Sequence, residues 1–219
     1  MSIMHKAQLS EDAASVIHEV STAATWLRAG HLLAYPTESV WGIGCDPFNE
    51  DAVETVLAIK ARPKAKGMIL VTDDIERIAP LLAGLTPEQR ASISSSWQPQ
   101  QGAAQRQANT WLLPITDTLP VGIPAWVTGA HDSVAVRVTD HPLVKSLCAA
   151  LVSEHNPYGF LVSTSCNPAT LPPAKTLAEA RAYFAHSDYA PQVRYLQGDT
   201  LGYELPSQIR DAVTGAVIR

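Results

Sequence analysis

An α/β fold is predicted by two features of the sequence. Short apolar runs typical of buried strands alternate along the chain with segments in which apolar residues recur every three or four positions, as on one face of a helix. Of the 219 residues, 46% are hydrophobic and 17% are charged, a balance that favours a folded core over disorder. Since no linker divides the chain, we expect a single domain over residues 1–219.

In the first half of the chain, predicted helices and strands follow each other closely. Gly30 and Pro36 end the first helix and the first strand, and Pro63 limits the second helix because proline restricts the residue before it. The predicted elements are a helix over 10–28, a strand over 31–35, a helix from 50 to about 62, a strand over 68–71, and helices over 75–82 and 87–95.

The second half begins with a segment of unusual composition. Residues 98–109 contain five glutamines and a single charged side chain, Arg106, and we expect this stretch to form a flexible loop insertion. After it the sequence predicts strands over 111–113, 133–138, 160–163 and 193–196, helices over 141–154 and 176–184, a polar turn over 164–167, and a hairpin formed by 209–211 and 216–218.

Composition also excludes several classes of protein. Apolar runs fall short of the ~20 residues of a membrane helix, and the first residues do not resemble a secretory signal, so a cytoplasmic protein without membrane segments is expected. Three cysteines without a CxxC pair predict reduced thiols, and seven histidines without an HExxH spacing predict no metal site. A net charge of -5 argues against coating nucleic acid over the whole surface.

The segment 60–67 is the most informative part of the sequence. It holds four of the sixteen lysines and arginines of an acidic protein, and such clustering is unfavourable unless an anion offsets it. Lys60 falls at the end of a predicted helix and Arg62 and Lys66 on the turn after it, so a triphosphate could meet several of them. An ordinary basic turn at a helix C-terminus remains an equal alternative.

Two polar turns follow predicted strands. Thr37, Glu38 and Ser39 come after the strand 31–35, and Ser163, Ser165 and Asn167 come at the end of 160–163. Ligands of open α/β sheets bind beyond strand C-termini, where hydroxyls and amides can hold a phosphate or polar group. The alternative is that these side chains satisfy their own backbone, with Glu38 only accepting an N–H bond.

Two further details bear on the ligand. Gly42 and Gly44 could bring backbone N–H groups close to it, although the sequence lacks both the third glycine of a dinucleotide fingerprint and a P-loop. Arg137, inside the predicted strand 133–138, requires an anionic partner, which is either an acid of the protein or a ligand carboxylate.

Motifs of a known family occur in order along the chain. They lie at 34–38 with 42–47, at 60–63, at 133–142, at 163–167 and at 206–211. On these motifs the chain resembles the YrdC domain family, the L-threonylcarbamoyladenylate synthases, of the short bacterial type, over nearly its whole length apart from 98–109. The resemblance implies an α/β fold with a twisted, mixed sheet, surrounding helices and a concave basic cleft.

The resemblance also implies a reaction. L-threonine, bicarbonate and ATP form threonylcarbamoyl-AMP and pyrophosphate, with Mg²⁺ expected on the leaving group, for N6-threonylcarbamoyladenosine at position 37 of tRNA. Implied partners are tRNA or double-stranded RNA and downstream threonylcarbamoyl-transferase proteins. Lys60 and Arg62 would be catalytic; the implied ATP ligands are Lys60, Arg62, Lys66, Ser133, Ser165, Asn167 and Arg219. The implied threonine ligands are Thr37, Ser39, Arg137, Ser163 and Ser207.

Departures from the family and two alternative functions complete the prediction. Trp97-Gln98-Pro99-Gln100 and a glutamine-rich stretch stand where relatives commonly have Trp-Pro-Gly-Pro leading into a strand, and Val71 stands where longer relatives carry a threonine-contacting histidine. One alternative is a non-catalytic double-stranded RNA or tRNA-binding maturation factor that uses the same cleft, which the net charge disfavours. The other is a carbamoyl-transfer domain like those fused in hydrogenase maturation proteins, against which the lack of acylphosphatase and zinc-finger segments argues.

Overall fold

A computed structural model describes residues 15–98 and 106–219. Seven α-helices occur in this part of the chain: α1 (Val20–Arg28), α2 (Glu50–Ile59), α3 (Ala79–Leu82), α4 (Pro87–Ser96), α5 (Ala125–Thr128), α6 (Pro142–Leu151) and α7 (Leu177–Phe184). Short 3-10 turns cover Lys64–Lys66, Ile75–Ile78 and Ala190–Gln192. None of the described helices is long and apolar enough to cross a membrane.

The described strands form two mixed five-stranded sheets. Their bounds are β1 (Val16–Ile17), β2 (Leu32–Pro36), β3 (Trp41–Gly44), β4 (Ile69–Thr72), β5 (Asn109–Pro114), β6 (Ser133–Val138), β7 (Leu161–Val162), β8 (Thr164–Ser165), β9 (Val193–Leu196) and β10 (Gln208–Asp211). The first sheet has the order β1-β9-β2-β3-β8 and the second the order β10-β5-β6-β4-β7. The predicted α/β class is confirmed, with the strands divided between two sheets instead of one.

The two sheets meet where β3 passes β7 and β8. Val162 of β7 donates its N–H to the carbonyl of Cys45, directly after β3, at 3.0 Å. Ser163 alone separates β7 from β8, which pairs antiparallel with β3, so the chain steps from one sheet to the other at this residue. Its N–H donates to Ile69 of β4 at 2.8 Å. These hydrogen bonds at the junction hold the polar turn 163–167 between the sheets.

Apolar side chains fill two clusters. The smaller cluster lies under α1 and α6, where Leu27 and Leu147 pack with Tyr35 of β2 and Leu161 of β7, all fully buried. The larger cluster includes the apolar face of α2, formed by Val53, Val56 and Leu57 as the three- and four-residue spacing predicted. Both clusters pack against strands that lead into the polar turns, and this packing fixes where those turns lie.

Several predicted elements match the structure and some do not. The strands 133–138 and 193–196 are confirmed, and the C-terminal hairpin is confirmed by the antiparallel bridge between Arg210 and Val217. The helix predicted from residue 10 begins only at Val20, because the β-branched Val16 and Ile17 pair parallel with β9 instead. Of the predicted loop insertion, residues 99–105 lie outside the described residues, while Asn109 already begins β5.

Candidate functional site

Lys60 joins the end of α2 to the polar turn after β8. Its Nζ atom lies 2.9 and 2.8 Å from the carbonyl oxygens of Ser165 and Asn167, 2.9 Å from Asn167 Oδ1 and 3.3 Å from Ser165 Oγ. An ammonium group has three protons to donate, so these four acceptors saturate it. The structure therefore brings Lys60, Ser165 and Asn167 into one hydrogen-bonded group, across more than one hundred residues of sequence.

The direction of the chain after Lys60 is set by a helix cap. Ala61 has a positive φ of 44°, its N–H donates to Ala58, and the N–H of Arg62 donates to Leu57. This is the Schellman arrangement, in which the residue after the cap is usually glycine because it is left-handed. The cap turns the chain sharply, so that Lys60 points toward the turn after β8 while Arg62 is carried toward the start of β4.

Arg62 and Arg219 place two positive charges near each other. Arg62 donates from Nε to the carbonyl of Gly67 at 3.0 Å and from Nη2 to that of Lys66 at 3.2 Å. Burial lowers the pKa of the Arg62 guanidinium, and the charge of Arg219 lowers it further. Backbone hydrogen bonds between Arg219 and Ile209 hold the last residue against β10. Two guanidinium groups so placed favour an anion at this point.

The other cations of the segment 60–67 lie farther out. Lys64 forms an exposed ion pair with Glu54 of α2. Lys66 is exposed, and its contact with Arg62 is made by its backbone carbonyl. Of the four clustered cations, Lys60 and Arg62 are thus the two that the fold partly buries. Burial lowers the pKa of Lys60 as well, an effect to which the charge of Arg62 adds.

Buried thiols complete the surroundings of Lys60. Cys166 lies between Ser165 and Asn167, and burial raises its pKa to about 12, an effect that Lys60 only partly opposes. Cys45 and Cys148 are also buried and free, as the sequence predicted for reduced thiols. Because the thiolate is the reactive form, these cysteines are unsuited to act as nucleophiles.

Arg137 finds its anionic partner in Glu38. Arg137 Nη2 and Glu38 Oε2 are 3.6 Å apart, and the two side chains are 10% and 2% exposed. Glu38 Oε1 accepts from the Thr139 hydroxyl at 2.7 Å and from the Asp140 N–H at 2.9 Å. Burial alone would raise the pKa of Glu38, but Arg137 and these two donors outweigh it, so the pKa is lowered and the carboxylate is ionised.

The partners of Glu38 extend to a loop near the C-terminus. Tyr203 donates its hydroxyl to Asp140, and its ring lies 4.5 Å from the guanidinium carbon of Arg106. The backbone N–H of Tyr203 donates to the carbonyl of Glu38 at 2.9 Å. A concave opening lies beside this group, and its lining includes Glu38, Asp140, Tyr203, Trp97 and Asn109.

The predicted hydroxyl residues are distributed around these two groups. Ser163 is buried at the junction of the sheets, beside the Tyr35 hydroxyl. Thr37 closes its own turn, with its hydroxyl donating to Val40 at 2.7 Å, and Ser39 lies within that turn. Ser207 directly precedes β10, close to Gln107, which donates to Pro206. Ser133 opens β6, about 13 Å along the strand from Arg137.

Two features of the site differ from what the sequence suggested. Gly42 and Gly44 lie within β3, and they serve packing, since a Cβ at Gly42 would come within 3.0 Å of Thr37 and one at Gly44 would meet the Val162 carbonyl. Asp140, Tyr203 and Arg106 were not predicted as a group. The one available signal was Asp140, which lies two residues after the end of β6, because Tyr203 and Arg106 come from distant segments.

The only metal ion expected from the sequence was Mg²⁺ bound to the phosphates of ATP. Within residues 15–98 and 106–219, no group of three or more His, Cys, Asp and Glu side chains is arranged to hold one. These residues therefore do not fit a protein-built Mg²⁺ cage. Mg²⁺ commonly binds substrate phosphates while keeping several waters, and so needs few protein ligands.

Comparison with known proteins identifies relatives over nearly the whole chain. A family model named for Sua5, YciO and YrdC, with the description telomere recombination, matches residues 25–219. A threonylcarbamoyl-AMP synthase of Psychrobacter cryohalolentis is 63% identical over 202 residues, which are 90% of this chain and 94% of that protein. A threonylcarbamoyl-AMP synthase of Acinetobacter baylyi is 48% identical over 91% of this chain and 96% of that protein.

Solved structures agree on the fold. Sua5 of P. abyssi complexed with L-threonine matches with a TM-score of 0.70 and 23% identity over 90% of this chain, which spans about half (53%) of that longer protein. YciO of E. coli matches with a TM-score of 0.68 and 20% identity over 93% of each chain. The family expected from the sequence motifs is confirmed: this chain belongs to the Sua5/YciO/YrdC family.

Proposed function

We propose that this protein is a threonylcarbamoyl-AMP synthase, which forms threonylcarbamoyl-AMP and pyrophosphate from L-threonine, bicarbonate and ATP. One observation carries the proposal, namely the high identity over nine-tenths of the chain to relatives that bear this name. The product would supply the threonylcarbamoyl group for N6-threonylcarbamoyladenosine at position 37 of tRNA, through downstream transferase proteins.

The phosphate side of the site would be formed by the group around Lys60. Arg62 and Arg219 supply positive charge for the triphosphate, with Lys66 at the exposed edge. Lys60 holds the turn that contains Ser165 and Asn167, so that the Ser165 hydroxyl and backbone groups of the turn can meet a phosphate. Ser133 would contribute from the start of β6. Transfer of a nucleotidyl group needs mainly positioning and neutralisation of charge, and these residues are suited to both.

The threonine side would be formed around Arg137. Its guanidinium would bind the threonine carboxylate, because the carboxylate is the anionic group of the amino acid. Ser163 would line the same space from the junction of the sheets, with Thr37, Ser39 and Ser207 farther along its wall. The amine of threonine combines with bicarbonate, with loss of water, to form a carbamate. A carbamate oxygen then attacks the α-phosphorus as the bond from this phosphorus to pyrophosphate breaks. This sequence requires no covalent nucleophile, in keeping with the protonated, buried cysteines.

Pyrophosphate release tests the proposal. Purified protein is mixed with ATP, bicarbonate and either L-threonine or L-serine, and pyrophosphate is measured over time. We expect release that depends on both threonine and bicarbonate, with serine a poorer substrate because it lacks the methyl group of threonine. Protein that consumes no ATP but binds RNA with an affinity that falls steeply with salt would overturn the proposal in favour of a binding factor.

A further inference from the structure

The ion pair between Arg137 and Glu38 is buried but incompletely satisfied. Among the described residues, Glu38 Oε2 and Arg137 Nε have no hydrogen-bond partner, and both atoms are shielded from solvent. The 3.6 Å between the two side chains exceeds the length of a hydrogen bond. Buried charges are costly unless they are both paired and hydrogen-bonded. A buried carboxylate oxygen and a buried guanidinium nitrogen that both lack a hydrogen-bond partner therefore call for an explanation.

Only one half of the Glu38 carboxylate is used by the fold. Oε1 is fixed by the Thr139 hydroxyl and the Asp140 N–H, which orient the whole carboxylate. Oε2 is left facing the guanidinium at a distance too long for a strong contact. A purely structural ion pair would be expected to close into the shorter, bidentate geometry that arginine and carboxylate favour.

The free atoms match the charges of an α-amino acid. An amino acid zwitterion presents a carboxylate and an ammonium group on the same carbon atom, within a few ångströms of each other. Arg137 offers a donor for the first and Glu38 an acceptor for the second, side by side. The charges of both residues act on the Tyr35 hydroxyl, which also contacts Ser163, so the pair lies near Ser163, another residue proposed to line the threonine side.

We propose that Glu38 binds the α-ammonium group of the amino acid substrate through Oε2 while Arg137 binds its carboxylate. This inference rests on the proposed function, because it takes threonine to be the substrate. It assigns to Glu38 a role beyond that of an N–H acceptor. Discrimination would then act against molecules that lack the amino group, since they would leave the Glu38 carboxylate buried without a partner.

Calorimetric titration without ATP tests the ammonium contact. Wild-type protein is titrated with L-threonine and with the hydroxy acid in which a hydroxyl replaces the amino group, 2,3-dihydroxybutyrate. We expect the hydroxy acid to bind about tenfold to a hundredfold more weakly, the range for loss of a charge-assisted hydrogen bond. Equal affinities overturn the inference without needing any variant to fold. Failure of threonine itself to bind would instead count against the proposed function.

Variants then assign the effect to Glu38. Glu38→Gln keeps an oxygen for the Thr139 and Asp140 donors but removes the charge, and the preference for threonine over the hydroxy acid is expected to disappear. Asp140→Asn is the matched control, because it removes a neighbouring carboxylate while its backbone N–H still donates to Glu38; here the preference should persist. If Glu38→Gln does not fold, Glu38→Asp is used, and a shorter carboxylate should reduce the preference. An unchanged preference in the folded Glu38 variant overturns the assignment.

Discussion

Replacing Arg62 by alanine is expected to lower kcat/KM for threonine-dependent pyrophosphate release by at least about a hundredfold, the usual effect of removing a fixed charge that stabilises a transition state. Lys60→Ala is expected to cause a loss of the same order, because the turn that carries Ser165 and Asn167 loses the side chain that holds it in place. The two variants should differ in stability. Arg62→Ala removes hydrogen bonds to two carbonyls of its own turn. Lys60→Ala leaves the carbonyls of Ser165 and Asn167 without their shared donor. We therefore expect Lys60→Ala to lower the free energy of unfolding by about 1–3 kcal/mol more than Arg62→Ala does.

Lys64→Ala is the matched control for both. Lys64 belongs to the same basic segment, but it is exposed and paired with Glu54 at the surface. Its removal should leave pyrophosphate release unchanged, because its charge is already paired with Glu54 at the surface and the loss of an exposed ion pair changes stability little. If Arg62→Ala retained wild-type activity while remaining folded, the phosphate side of the site would have been assigned wrongly. Circular dichroism and thermal melting of each variant separate loss of function from loss of structure.

Gly44→Ala is expected to be the most destabilising single-methyl change in this part of the fold. A Cβ at Gly44 would lie 1.6 Å from the Val162 carbonyl oxygen and 2.7 Å from its carbon, both of them backbone atoms. Since β3 and β7 cannot both stay in place, the junction of the two sheets must open. We expect a loss of at least about 3 kcal/mol, at the upper end of overpacking effects, measured as a lower urea midpoint.

Gly122→Ala is the appropriate comparison for that result. A Cβ at Gly122 meets nothing within 4 Å, and the same methyl group is added. We expect a change within about 0.5 kcal/mol, as for most surface substitutions. Similar midpoints for the two variants would contradict the close approach of β3 to β7 on which the placement of the turn 163–167 depends.

The sequence predicted those elements whose signals are local. In the strand Ser133–Val138, valines alternate with other residues along its length. The helix α2 has its apolar residues at helical spacing and begins after the N-cap residue Asn49. The start of α1 could not be predicted, because Val16 and Ile17 fit a helical pattern locally and become a strand only by pairing with β9, far along the chain. The strand Trp41–Gly44 was not predicted, because its two glycines suggest a turn. In the structure, glycine is required at both positions because neighbouring residues pack too closely for a side chain.

The site shows the same division between local and distant signals. Family motifs singled out Lys60, Ser165 and Asn167, and the structure groups these three residues. For Arg137 the sequence left open an acidic residue or a ligand, and Glu38 is the partner in this structure. The sequence could not predict that Thr139 and Asp140 occupy one oxygen of Glu38 and leave the other free, since this depends on how two strand ends meet.

Identification of the nucleotide product tests the central claim most directly. The protein is incubated with ATP, L-threonine and bicarbonate labelled with a heavy carbon isotope, and the quenched mixture is analysed at once by mass spectrometry. The account predicts a nucleotide with the mass of threonylcarbamoyl-AMP, which carries the label in its carbamoyl group and forms only when threonine is present. An unlabelled threonyl adenylate, or AMP formed without any threonine adduct, would contradict it.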